Sequence, residues 1–352
     1  MAPDSRFWRH QLGDARRSLQ GRLLKASLMV FLIMSVSTLE IQARTEPSWG
    51  SMDERLGSAC NDRNQFHGIP GSMMPLFPPS QIPPFPPVGL WSNGIQIHIP
   101  NQPAIQQYIR FFMGQGRSTF EDALERSRFH VPIMTEILES NGVPSDMVSV
   151  VFIESCFRGY ASFGGAVGYW QLLAATARTM GLRVDRWVDE RKDPIKSTQA
   201  AAKYLRSFYD QFESWPLALA AYNAGEIPVA SAVRRARTSD FWELSRRGTL
   251  PGHTRAYVPK VLAAIQIMRD LEAHGFKRPN HSHAYDFESI SVRSPLRLEQ
   301  VASWIKVPVS YLQDLNPALR LDRLPPDCGV DLNLPSGARQ TFDLAYEQYL
   351  RN

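Results

Sequence analysis

The chain has 352 residues, 43% of them hydrophobic and 21% charged, enough apolar material for one good-sized core and a small second one. Its net charge of +5 is mild once the basic stretch Arg6, Arg9, Arg16, Arg17, Arg22 and Lys25 is set aside, so no nucleic-acid partner is expected, while an anionic partner is permitted. The 3 cysteines, Cys60, Cys156 and Cys328, are an odd number and leave at least one thiol free; no cysteine or histidine cluster has metal-ligand spacing, and neither a metal nor another cofactor is expected.

Residues 26–39, ASLMVFLIMSVSTL, are apolar and uncharged. As a helix they would rise about 21 Å, short of a bilayer core of about 30 Å. A basic stretch precedes them and Ile41-Gln42-Ala43 follows, the pattern of a secretory signal cleaved after Ala43. Residues 1–43 are therefore expected to direct export to the periplasm or cell envelope. The alternative is an uncleaved anchor, which would give a loose membrane association through the N-terminus. Cys60 lacks the apolar run that a lipid-anchor site would have just ahead of it.

Residues 44–100 are loop-like, and the run PGSMMPLFPPSQIPPFPPVGLW has neither helical nor alternating period, so it is expected to form an extended tether. From 101 to 280 the pattern turns helical. Ile105, Tyr108, Ile109 and Phe112 recur at three- and four-residue steps, and Phe120, Leu124 and Ser127 continue that spacing. Further helices are expected over 131–138, 146–156, 174–180, 194–212, 215–223 and 256–273, with Asn141-Gly142-Val143-Pro144 as a stop and Ser145 or Asp146 as the next cap. Strand signals are weak throughout this region. His281 and His283 lie in a polar linker and are expected to be solvated.

Residues 285–337 change character. Phe287 to Val292 alternates like a strand, 298–304 and 310–315 read as two short helices, and 330–334 as a second strand. Residues 338–352 form a tail, with a terminal helix over 341–350. The fold class expected is mainly α, followed by a small α+β unit.

The residue that asks for an explanation is Glu154. It follows Val150, Val151, Phe152 and Ile153, so its carboxylate is partly desolvated, and burial raises a carboxyl pKa toward the range useful for acid–base work. A helix C-terminus disfavours the charged form as well. Gly164, Gly165 and Gly168 allow close backbone approach to a ligand, Tyr169 and Trp170 offer faces to sugars, and Gln171 offers donor and acceptor. Tyr222 and Asn223 close a later helix, where they read equally well as a core tyrosine and a helix cap. Cys156 reads as a small buried hydrophobe. Asp185, Asp189, Glu190 and Asp193 read as a solvated loop whose last acid caps the helix starting at Pro194; were one of them to face Glu154, a second carboxylate would be available and simple hydrolysis with it.

Glu154-Ser155 with Phe157, then Gly165-Ala166-Val167-Gly168-Tyr169-Trp170-Gln171, then Ala221-Tyr222-Asn223-Ala224-Gly225, occur in order and resemble the three signature blocks of the family 1 lytic transglycosylases, which have a lysozyme-like helical fold. Tyr257-Val258-Pro259-Lys260 after Thr254-Arg255 fits the same pattern, and residues 111–132 resemble the lead-in helices of the membrane-bound lytic murein transglycosylase D type. The resemblance implies glycan strands of peptidoglycan as partner and substrate. It implies Glu154 as the single catalytic acid/base, first protonating the glycosidic oxygen and then removing the proton of the muramic acid C6 hydroxyl as the 1,6-anhydro ring closes. It places Ser155, Ser162, Gly168, Gln171, Tyr222, Asn223 and Tyr257 around the substrate.

One departure stands out. The family pattern has a serine nine residues and a glutamine eighteen residues after the glutamate; here Gln171 is at seventeen, Ser162 at eight, and Phe163 at nine. The C-terminal unit, with Val307-Pro308-Val309, Leu315-Asn316-Pro317 and Val330 to Gly337, resembles a degenerate LysM module but opens with Ser294-Pro295-Leu296-Arg297 in place of the usual turn. It reads as a glycan binder or as a structural cap. The competing functions are a glycan-binding envelope protein without turnover, motivated by the short loop, and a muramidase that hydrolyses the same bond.

Overall fold

The computed structural model describes residues 96–279, 287–326 and 329–351. The expected export signal, nearly all of the proline-rich tether, Cys60, Cys328, His281 and His283 lie outside the described residues. No helix among the described residues is long and apolar enough to cross a membrane.

Helix α1 (Pro103–Met113) begins on a proline, whose fixed φ and missing N–H suit a first turn, and buries Ile105, Ile109 and Phe112 along one face. Helices α2 (Arg117–Ser127) and α3 (Val131–Ser140) follow, and the chain leaves α3 through Asn141 and the left-handed Gly142. A single helix was expected from 146 to 156. The chain instead makes a 3₁₀ turn (Ser145–Val148) and then a short α4 (Ser149–Ser155). The apolar run buries Val150, Val151 and Phe152, with the Phe152 ring 4.1 Å from Phe120 and 6.2 Å from Phe112 between centroids.

A small antiparallel sheet comes next: β1 (Ser162–Phe163), β2 (Ala166–Val167) and β3 (Leu172–Leu173), in that order. Helix α5 (Ala174–Thr179) leads to residues 180–193, and these to α6 (Pro194–Phe212), which starts where the sequence places it. Asp193 caps it by accepting from the amides of Ile195 and Lys196 at 2.9 and 2.8 Å. Helix α7 (Trp215–Ala224) buries Leu217, Ala218, Leu219, Ala220 and Ala221 consecutively, as a central helix must. Helices α8 (Glu226–Ala236) and α9 (Phe241–Arg246) lie in a segment for which the sequence pattern suggested no helix; α8 buries only Val229 and Ala232. Helix α10 (Gly252–Arg269) is buried along most of its length.

The C-terminal unit pairs β4 (Phe287–Val292) with β5 (Val330–Pro335), antiparallel, from Phe287 opposite Pro335 to Val292 opposite Val330. Helices α11 (Leu298–Ile305) and α12 (Val309–Leu315) lie between the strands in sequence. Asn316 ties α12 to β5: its side-chain amide donates to the carbonyls of Leu312 and Asn333, and its oxygen accepts from the Asn333 amide, all at 2.8 Å. Helix α13 (Arg339–Arg351) packs Phe342 into the same small core. The mainly helical class with a small α+β unit is therefore observed.

Burial pushes the Asp193 carboxyl up, against the lowering effect of its amide and lysine neighbours. Asp193→Ala is expected to cost about 1 kcal/mol in urea unfolding and Asp193→Asn a few tenths, because the neutral amide oxygen still accepts. An alanine variant as stable as the parent would show that the cap contributes nothing.

Candidate active site

Helix α4 stops one residue beyond Glu154. Cys156 (φ 50°) and Phe157 (φ 59°) both take the left-handed conformation, a costly arrangement for two successive non-glycine residues and one found where a site needs the chain turned sharply. Arg126 holds that turn, its Nε donating to the Cys156 carbonyl at 2.7 Å, while burial and the nearby Arg158 push the Arg126 guanidinium down to about 10. Cys156 is buried, as expected, but it is disulfide-bonded and not a free thiol; its partner lies outside the described residues.

The Glu154 side chain is half-buried, and the Tyr257 hydroxyl from α10 donates to its Oε1 at 2.7 Å. Tyr222, near the end of α7, donates its hydroxyl to the Trp170 carbonyl at 2.6 Å. Burial first, and the negative Glu154 second, push both phenols well above 10, so both remain neutral O–H donors across the physiological range. Asn223 accepts from the Thr254 hydroxyl at 2.9 Å. It sits within α7, and the helix cap belongs to Gly225.

The small sheet and the chain between its strands are tied to the helices that carry these residues. Ser155 is fully buried and donates to the Tyr169 carbonyl at 2.7 Å, which fastens α4 to the chain entering β3. Gln171 (φ 47°) uses its side-chain amide on the carbonyls of Ala161 and Gly168, at 2.9 and 2.8 Å, so what it can offer a ligand is its carbonyl oxygen. Gly168 is left-handed (φ +87°), and a Cβ there would lie 1.8 Å from the Arg191 carbonyl oxygen. The close approach expected of Gly168 is thus made by the protein's own backbone. Ser162 stands exposed on β1 beside the exposed Phe163.

Two expectations are corrected. Tyr169 and Trp170 do not present faces to a ligand: they are 8% and 0% exposed, and the Trp170 Nε1 donates to Thr198 inside the core. Beneath them, burial lowers the His130 imidazole to about 3, and its Nε2 lies 3.4 Å from the Tyr169 hydroxyl. Nor is the acidic stretch 183–193 simply a solvated loop: its acids are bonded within the protein, although the Asp185 side chain stays 39% exposed. Asp189 is 1% exposed and forks onto Arg191 at 2.8 and 2.9 Å. Glu190 accepts from Lys196, and Asp185 accepts from the amides of Trp187 and Val188 and from Arg183. The cap at Asp193 is as expected. Arg191 carries no signal in the sequence, and Thr254 enters only through the Thr254-Arg255 pair ahead of Tyr257, without its bond to Asn223. A threonine before a helical tyrosine and an arginine in an acidic loop carry no local signal of what they touch.

Residues 133–245 match the family "Transglycosylase SLT domain", and residues 286–350 match "Lytic transglycosylase MltD, LysM-like domain". The chain is 28% identical over 240 residues to the membrane-bound lytic murein transglycosylase D of Escherichia coli K12; the match takes in 66% of this chain and 52% of the relative, so the chain spans about half of that relative's length. It is 36% identical over 103 residues to a putative tributyltin chloride resistance protein of Alteromonas, covering 29% of this chain and 49% of that protein. Among solved structures, the 70 kDa soluble lytic transglycosylase of Escherichia coli aligns at 21% identity with a TM-score of 0.39, over 51% of this chain and 30% of the other. The chain therefore carries a transglycosylase SLT domain followed by a LysM-like domain of the lytic transglycosylase MltD type.

Proposed function

We propose that this protein is a peptidoglycan lytic transglycosylase that uses Glu154 as its one acid/base and releases 1,6-anhydro-muramic acid ends. The observation that carries the reading is the carboxylate of Glu154 at the end of a short apolar helix, fixed by Tyr257, with the neighbouring Ser155 and the Tyr222 phenol bonded to the carbonyls of Tyr169 and Trp170. The SLT domain over residues 133–245 supports it.

In the first half-reaction the protonated Glu154 gives its proton to the glycosidic oxygen as the bond from the muramic acid C1 to that oxygen breaks, and the alcohol leaves. In the second, the Glu154 carboxylate takes the C6 hydroxyl proton while O6 bonds to C1. Protons balance, no water is consumed, and one group serves both steps. Tyr257 orients the carboxylate. Asn223 and the Gln171 carbonyl oxygen are the polar groups we assign to the N-acetyl and hydroxyl groups of the sugar. Gly168, Ser155 and Tyr222 fix the small sheet, and Ser162 contributes from the rim. The acids of residues 183–193 already have protein partners, which speaks against one of them serving as a second catalytic carboxylate. The substrate places the protein in the cell envelope, which residues 1–43 would reach as an export signal.

Exposed Ser162 and the short loop before it favour a second reading, glycan binding without turnover. Purified sacculi separate the readings. The native chain is expected to release muropeptides lighter by one water than hydrolytic products, as read by mass spectrometry. Glu154→Gln should lose 10²-fold or more, on the order of what a positioned acid/base contributes, with unfolding unchanged. Products carrying reducing ends would replace the transglycosylase by a hydrolase; no products from the native chain would leave binding alone. Tyr257→Phe should lower kcat about tenfold, the worth of roughly one hydrogen bond near 1.4 kcal/mol, with sacculus binding retained. A full-rate Phe variant would remove Tyr257 from the site.

A further inference from the structure

Residues 183–193 lie between α5 and α6 in the large domain, yet Trp187 and Val188 are buried in the core of the C-terminal unit, not in the core that surrounds Glu154. Backbone bonds secure the contact. The Asp189 amide donates to the Ala318 carbonyl at 2.8 Å, the Arg320 amide donates to the Trp187 carbonyl at 2.9 Å, and Val188 and Leu319 form an antiparallel bridge. Arg320 also donates its side chain to the Asp185 carbonyl at 2.9 Å, the Arg323 guanidinium lies 5.0 Å from the centre of the Trp187 ring, and Lys196 reaches Asp331 at 3.1 Å. One segment of the large domain is thereby made part of the small one.

The same segment grips the sheet of the candidate site. The Arg191 Nη1 donates to the carbonyls of Gly165, between β1 and β2, and Leu172, in β3, both at 3.0 Å. The backbone carbonyl of Arg191 seats Gly168. Asp189 holds the remaining guanidinium nitrogens, and the two side chains are 2% and 7% exposed. The charge of Arg191 and the hydrogen bonds it donates outweigh the effect of burial and keep the Asp189 carboxyl below the usual carboxylate range. Asp189 is therefore ionised, and the buried pair is rigid: each partner has no solvent to turn to, and loss of one leaves the other as an uncompensated charge. A continuous chain of contacts runs from Ala318, through Asp189 and Arg191, to the sheet whose other carbonyls are held by Ser155 and Tyr222.

We infer that the C-terminal unit is a buttress of the candidate site, with Arg191 and Asp189 as positioning residues that transmit its hold to residues 161–173. This rests on the transglycosylase reading for its catalytic consequence, although the mechanical coupling stands apart from it. A catalytic wall built of two-residue strands cannot keep its place by its own pairing, and displacement of about 1 Å in such a wall costs on the order of a hundredfold in rate.

The test uses the full chain, with Trp187→Ala to loosen the contact, Arg320→Ala as a milder surface change, and Arg191→Lys, which keeps the charge on Asp189 but has no planar fork for the two carbonyls. Amide hydrogen exchange at residues 161–173, release of soluble products from sacculi, and sedimentation with sacculi are measured together. Trp187→Ala is expected to speed exchange at 161–173 and to lower kcat by about ten- to a hundredfold while KM and sacculus binding hold. Arg320→Ala should do the same to a lesser degree, and Arg191→Lys should fall between it and Trp187→Ala. Should Trp187→Ala fail to fold, Arg320→Ala decides, since its side chain is exposed. The inference is overturned if exchange rises at 183–193 but stays at the native level in 161–173, or if kcat is unmoved while those amides loosen. Loss confined to sacculus binding would likewise overturn it, in favour of a glycan tether. A native chain without turnover would sink the transglycosylase reading alone, because the exchange measurement still reports the coupling.

Discussion

A three-stranded sheet with strands of two residues makes too few ladder bonds to stand alone, and strands that short rarely hold a position without help. Several carbonyls in and around this sheet are met by side chains, most of them from other elements. Ser155 takes Tyr169, Tyr222 takes Trp170, Arg191 takes Gly165 and Leu172, and Gln171 folds back onto Ala161 and Gly168. Buried backbone oxygens have to be satisfied, and here that need is met by side chains from α4, from α7 and from the segment before α6. The sheet is therefore as well placed as these donors are, and much of the rest of the structure can be understood as holding them.

This explains why function and packing do not separate at this site. Tyr222 reads in the sequence as either a core tyrosine or a ligand-binding one, and it is bonded to a core carbonyl while standing close enough to Glu154 for the carboxylate to raise its phenol. Asn223 reads as a helix cap or a sugar contact; it is neither free nor a cap, since Thr254 already donates to its oxygen. Tyr222 and Asn223 are each oriented by a second protein group, Trp170 and Thr254, as a site with little room for adjustment requires.

Much of the helical frame was legible because burial imposes a period. The helix from Pro194 to Phe212 and the strand from Phe287 to Val292 begin and end where the apolar spacing says, and Glu154 stands out because a carboxylate after four apolar residues is unusual. What could not be read has physical reasons. Strands of two residues have no period to detect. Helix α8 buries little, so its pattern is faint. Tyr169 and Trp170 look like ligand faces because nothing local tells that Thr198, many residues on, receives the indole N–H. The acids at 185–193 look solvated because nothing in their spacing tells that Asp189 turns onto Arg191, Glu190 onto Lys196 and Asp185 onto Arg183 and two backbone amides. Cys156 gave no sign of its disulfide, since cysteine spacing alone does not fix pairing.

The conduct of residues 183–193 follows from the same need for partners. An acidic, tryptophan-containing segment on the surface of the large domain would expose Trp187 and Val188 and leave Asp189 and Arg191 to find water. Set against the C-terminal unit, the apolar pair is buried, the Asp189 amide finds Ala318, and the ion pair is excluded from solvent. Exclusion is what gives the pair its stiffness, because an exposed Asp–Arg contact exchanges readily with water and contributes little. A glycan-binding module attached by a free linker would need none of this. The contact ties the small unit to the place in the large one where backbone geometry is least able to hold itself.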